Sequence, residues 1–148
     1  MVEDKGQRLT PEQVRTFLLE QIDAIKVDAK RASDDSVGAL EIAGDLGKDV
    51  IQQKLEAQKL RIVAVINNYC WHLSMLLLIF LFSTTKNEAK KERLLQRLID
   101  LIQLPDGSIK RVFETNDPKE LRSASDEFYQ KWDQIRKQIR REVETKTS

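Results

Sequence analysis

Ile62-Val63-Ala64-Val65-Ile66-Asn67-Asn68-Tyr69-Cys70-Trp71-His72-Leu73-Ser74-Met75-Leu76-Leu77-Leu78-Ile79-Phe80-Leu81-Phe82-Ser83-Thr84-Thr85 contains no Asp, Glu, Lys or Arg, in a chain that is 33% charged. How this run is read decides the fold. A helix of that length can cross a bilayer. It can equally be the central helix of a small soluble bundle, apolar all round because its neighbours cover it. Mean hydropathy over residues 62–80 is about 1.7, at the usual membrane threshold. Asn67, Asn68 and His72 hold it down to that level. A lone span would carry two amides and an imidazole near its middle with no other span to satisfy them. Basic residues flank the run on both sides (Lys54, Lys59 and Arg61 before; Lys86, Lys90, Lys91 and Arg93 after), so they assign no orientation. In the bundle reading Arg61, Asn68 and His72 share one helical stripe. Asn68 and His72 are then expected as a buried polar stripe that reaches water or pairs with polar side chains of adjacent helices.

Working outward, no helix breaker occurs from Lys48 to Ser83, and the pattern predicts one helix over 48–84. Upstream, Gly38, Gly44 and Gly47 each weaken a helix by up to about 1 kcal/mol relative to Ala. Residues 36–46 are therefore expected as a weak helix with a soft point near Gly44 to Gly47. Thr10-Pro11-Glu12-Gln13 combines an N-cap, a first-turn proline and a capping-box Gln, and opens a helix over 11–32. Ser33-Asp34-Asp35-Ser36 is expected to break it.

Downstream, Thr85 with Glu88 reads as a capping box for a helix over 86–104, stopped by the turn sequence Leu104-Pro105-Asp106-Gly107. Asp117-Pro118-Lys119-Glu120 opens a last helix over 118–143. Its Leu121, Ala124, Phe128, Trp132, Ile135 and Ile139 lie close to a heptad seam. The helices over 11–32, 86–104 and 118–143 are apolar on one side only, so each needs a partner. The expectation is a single all-α domain over 1–148: four or five helices bundled around a long, strongly apolar central helix, with polar N- and C-terminal tails.

Composition narrows the chemistry. Lys and Arg total 25 against 24 Asp and Glu, a net charge of +1. That is no basic footprint for nucleic acid. With one cysteine and one histidine, no zinc ligand set is expected. Cys70 and His72 are two apart, hence on different helix faces, and do not form a thiolate–imidazole couple. Gly-x-Ser-x-Gly and Gly-rich phosphate-loop patterns are both absent. No enzyme activity and no cofactor are expected. The N-terminus, Met1 to Arg8, lacks the apolar core of a signal peptide.

The functional expectation is thus a cytoplasmic, non-catalytic module (adaptor, regulator or assembly subunit) that binds a protein partner or a second copy. Phe128, Trp132, Ile135 and Ile139 on the last helix are the expected contact surface. The alternative is a single-pass membrane subunit spanning at residues 62–84. A third reading, a haem or small-ligand sensor, would use His72 on an apolar helix as the proximal ligand.

Overall fold

Reciprocal caps set where the helices begin. In a computed structural model that describes residues 10–42, 47–83 and 86–145, Thr10 N–H donates to Gln13 Oε1 at 2.8 Å and Gln13 N–H donates to Thr10 Oγ1 at 3.1 Å. This capping box starts α1, Pro11–Ile42. α2 runs Lys48–Ser83, α3 Glu88–Phe113 and α4 Pro118–Glu144. Asp117 accepts from Glu120 N–H at 2.8 Å, and Glu120 reaches back to Asn116 N–H at 2.6 Å, so α4 opens as its sequence predicts. Among the described residues all regular structure is helical.

Three expected boundaries are corrected. α1 does not end at Ser33 to Ser36; it continues and absorbs the first part of the weak helix expected over 36–46. Ser and Asp favour breaks because their side chains compete for the backbone, but here those side chains are engaged elsewhere. Ser33 shares a buried hydrogen bond with Ser125 of α4, and Ser36 Oγ donates to Ala32 O at 2.7 Å. Asp34 pairs with Lys30 at 3.1 Å and Arg122 at 3.0 Å. Val37, wholly buried one residue further on, supplies the reason to continue. The expected soft point at Gly44 lies outside the described residues. Gly47 carries no positive φ and caps α2 by accepting from Ile51 N–H at 3.0 Å.

α3 starts one residue after Asn87, whose side chain accepts from Lys90 N–H at 3.0 Å. The expected Thr85 cap lies outside the described residues. α3 also passes straight through Leu104-Pro105-Asp106-Gly107 and ends at Phe113. Pro105 has no N–H for Leu101 O, a penalty of about 3 kcal/mol in a helix interior. Burial of Leu101, Ser108 and Val112 on either side of it overrides that penalty. Residues 108–113 are therefore the end of this helix, with Glu114 as its C-cap.

The four helices form an antiparallel bundle. Each packs on its sequence neighbours, α1 closes against α4, and α2 also meets α4 across the diagonal. α2, at 36 residues, is about 54 Å long. Leu55, Ile62, Ile66, Cys70, Leu73, Leu77 and Phe80 form its core-facing line. They meet Leu18, Ile22, Ile25 and Ala29 of α1, Leu94, Leu101 and Val112 of α3, and Leu121, Phe128, Trp132 and Ile139 of α4. A helical bundle with one long apolar helix is as the sequence implies, but α2 is one of four helices around a shared core, and its neighbours leave Trp71 and Phe82 on its outer side uncovered.

Buried charges fasten the layers. Arg136, 4% exposed, donates to Asp133 at 2.7 Å and to Ile22 O at 3.4 Å, tying α4 to α1. Arg140 adds Asp23 at 2.7 Å on the same seam, and this guanidinium holds the Asp23 carboxyl below the usual carboxylate range. Nearer the C-terminus of α4, at the same end of the bundle, Lys90 Nζ donates to Thr145 O at 2.9 Å and stands 5.3 Å over the Phe80 ring. Burial pushes the Lys90 ammonium below its ordinary pKa, and the carbonyl and the ring face compensate it.

Candidate interaction surface

The residues expected to bind a partner are in the core. Trp132 and Ile139 are wholly buried, Phe128 nearly so, and Ile135 is half-buried against the same cluster. Trp132 Nε1–H donates to Tyr69 O at 3.1 Å, and its ring meets Tyr69 edge-on at 6.3 Å. The heptad-like seam of α4 is satisfied inside its own chain, so it offers no free face.

The polar stripe is also corrected: Asn68 and His72 are exposed rather than buried. Both point away from the neighbouring helices, at the edge of α2. Clefts lie elsewhere, among them one of about 450 Å³ lined by Lys26, Lys30, Arg31, Asp34 and Tyr129 on the α1 side, one of about 220 Å³ lined by Arg93, Arg97, Arg141 and Glu142 between α3 and α4, and one of about 460 Å³ lined by Lys119, Arg122, Asp126 and Glu127 on α4. His72 thus stands on an open helix surface and not in an apolar pocket. Charges lining the first two clefts already pair within them: Lys30 with Asp34 at 3.1 Å, Arg93 with Glu142 at 2.7 Å.

What the bundle leaves uncovered is apolar. Trp71 is 66% exposed and Phe82 87%, and Met75 and Ile79 lie between them at helical spacing on the outer side of α2. On α3, Leu95, Ile99 and Ile102 form a second exposed line at i, i+4 and i+7, with Ile102 at 64%. The two lines are adjacent. Lys90 over Phe80 at one end and Lys59 Nζ donating to Phe113 O at 3.4 Å at the other set the antiparallel level of α2 against α3. That level puts Met75 beside Leu95, Trp71 beside Ile99 and Asn68 beside Ile102. On the other flank of α3, Arg93 and Arg97 reach α4 through Glu142 and Gln138, so the apolar line falls on the side towards α2. Leu60 and Phe113, both exposed, extend the face along the bundle. Arg61, Asn68 and His72 rim it on one side, and Glu92, Gln96, Gln103 and Lys110 on the other.

Sequence reasoning missed this face, although α3 held a signal for it. Leu94, Leu95, Leu98, Ile99, Leu101 and Ile102 span too wide an arc for one core contact. Neighbours in sequence diverge by about 100° around a helix, so Leu94 and Leu101 turn inward while Leu95 and Ile102 cannot.

Cys70 is buried in the core, and burial pushes its thiol up to about 12. At pH 8 the thiolate is then on the order of one part in ten thousand of the folded population. The folded protein is expected to resist iodoacetamide at pH 8, whereas the guanidinium-unfolded chain is alkylated fully. Prompt labelling of the folded chain would contradict the burial.

Comparison of the chain with protein-family models, with curated proteins and with solved structures finds no match.

Proposed function

We propose that this chain is a non-catalytic helical interaction module that docks a protein partner through the outer face of α2 and α3. The observation that carries the reading is the exposure of Trp71 and Phe82 beside Leu95, Ile99 and Ile102 on one contiguous, polar-rimmed face. Contiguous apolar patches of this kind on a small protein mark contact sites. Fully covering a side chain of this size contributes about 1.5–3 kcal/mol. Half a dozen of them therefore supply enough to offset the cost of association. An inert, buried Cys70 and an open, solitary His72 support the non-catalytic part. A cytoplasmic location goes with this reading.

A second reading rests on α2 itself, which among the described residues is the one helix long and apolar enough to cross a membrane. Against it, α2 lends Ile66, Leu73, Leu77 and Phe80 to the core and Tyr69 O to the Trp132 indole. Insertion would strip α1, α3 and α4 of their common partner. Carbonate extraction separates the two: the module stays in the supernatant, and a spanning subunit stays with the membrane.

The face is tested by photo-crosslinking in the cell of origin. Benzoylphenylalanine in place of Phe82 or Ile102 is expected to give protein adducts, and in place of Val27, exposed on α1, to give none. Adducts to lipid alone, or equal capture from Val27, would sink the proposal.

A further inference from the structure

We infer that one end of the bundle opens and closes as a unit while the opposite, aromatic end stays folded, with Pro105 at the hinge. This opening does not depend on what docks on the α2–α3 face, because it arises in the core. Cross-links between helices define the end. Ser33 bonds to Ser125, Arg122 pairs with Asp34 at 3.0 Å, Lys59 Nζ donates to Phe113 O at 3.4 Å and Arg111 pairs with Glu127 at 3.5 Å. Residues 33–42, 48–62, 106–115 and 118–127 therefore lie together. Among the described residues, this end holds seven of the eleven buried polar side chains but only six of the twenty-two buried apolar ones. Phe80, Phe128 and Trp132 all lie at the opposite end. The free energy that holds a segment closed scales with the apolar area it buries, so the polar end is the weaker part.

Two local features point the same way. Gln58 is 8% exposed, and its Oε1 is buried without a hydrogen-bond partner among the described residues. Opening returns water to that carbonyl, so the closed state forgoes a bond that the open state makes. Helix-weakening residues also gather here. Among the described residues, Gly38, Pro105 and Gly107 are the glycines and the proline that lie beyond the first turn of a helix. A Cβ built on either glycine meets nothing within 4 Å, so close packing does not require them. Pro105 leaves Leu101 O without its helical donor and stands level with Ile66, where the polar end meets the aromatic one. Bending α3 there costs one hydrogen bond fewer than bending it elsewhere. Beyond the hinge, Arg136 on Ile22 O, the Trp132 indole on Tyr69 O and Arg93 on Glu142 bind α4 to the other three helices. Trp71, Met75, Phe82, Leu95 and Ile99 stand on that firm end, so the docking face persists while Val37, Leu55, Ile62, Val112 and Leu121 are uncovered.

Native-state hydrogen exchange of the purified full-length chain, in guanidinium below the unfolding transition, tests this. The amides of Val37, Leu55, Val112 and Ala124 are expected to exchange together, at least about tenfold faster than those of Ile22, Leu73, Leu94 and Trp132. Two variants distinguish opening of one end from unfolding of the whole. Gln58→Met removes the unpartnered carbonyl at nearly constant volume. It is expected to slow exchange by the same factor at both ends, at least about fivefold, because either opening exposes residue 58. Ile139→Val trims the aromatic end. It is expected to speed exchange roughly three- to tenfold at that end alone, because the partly opened state keeps it folded. Equal wild-type rates at the two ends would overturn the inference, as would rates graded from the helix tips instead of shared across the polar end. Ile139→Val speeding both ends alike would show a single all-or-none unit and overturn it as well. A Gln58→Met chain that exchanges no more slowly would remove the polar core as the cause.

Discussion

Trp132→Ala is expected to cost about 3–5 kcal/mol, the range for emptying a fully buried large aromatic site. The side chain is wholly enclosed, and it joins α4 to α2. Its indole N–H is held by Tyr69 O of α2 at 3.1 Å, its ring meets Tyr69 edge-on, and Tyr129 lies 6.0 Å away on the preceding turn of α4. Alanine removes the packing and leaves the cavity. Set against the 5–15 kcal/mol by which a native domain is stable, this loss removes a large share of the whole. The chain contains its own control. Trp71→Ala removes an equally large side chain from the exposed face and is expected to change stability by no more than about 0.5 kcal/mol. Guanidinium titrations followed by circular dichroism measure both. Equal losses at the two tryptophans would mean that the core is misassigned.

Pro105→Ala is expected to do the reverse, stabilising the protein by about 2–3 kcal/mol. Proline in a helix interior lacks a donor and crowds the carbonyl four residues back, at about 3 kcal/mol relative to alanine. Part of that gain is returned because the half-buried ring loses its contacts. For a chain of this length the increase in Tm should be roughly 5–10 °C. Gly107, two residues on in the same helix, provides a smaller step of the same sign: a Cβ built there meets nothing within 4 Å, so Gly107→Ala should add up to about 1 kcal/mol. Thermal melts of the two single variants and the double variant check this. A neutral or destabilising Pro105→Ala would show that the bundle depends on the distortion the proline imposes.

The same two positions show where sequence reading succeeds and where it stops. Leu104-Pro105-Asp106-Gly107 has the local chemistry of a turn, and local chemistry is what a sequence exposes. What keeps α3 going is the burial of Leu101 before it and of Ser108 and Val112 after it, which depends on the helices packed alongside and not on the local sequence. Ser33 to Ser36 misled for the same reason, since the hydroxyl of Ser125 and the guanidinium of Arg122 arrive from α4. In contrast, the caps at Thr10–Gln13 and Asp117–Glu120 close within three residues, and both were legible.

What the sequence determined by itself is therefore everything that depends on spacing and short-range bonding. That covers the all-helical class, the one long apolar helix α2, and the starts of α1 and α4. Only the tertiary structure decided which of two apolar lines on a helix faces inward. Periodicity records that Leu94 and Leu95, or Leu73 and Trp71, are apolar and lie on different sides of their helices. It does not record which side the other helices occupy. That choice depends on how four helices fill one volume, and it buried Phe128, Trp132 and Ile139 while leaving Trp71, Phe82 and Ile102 outside.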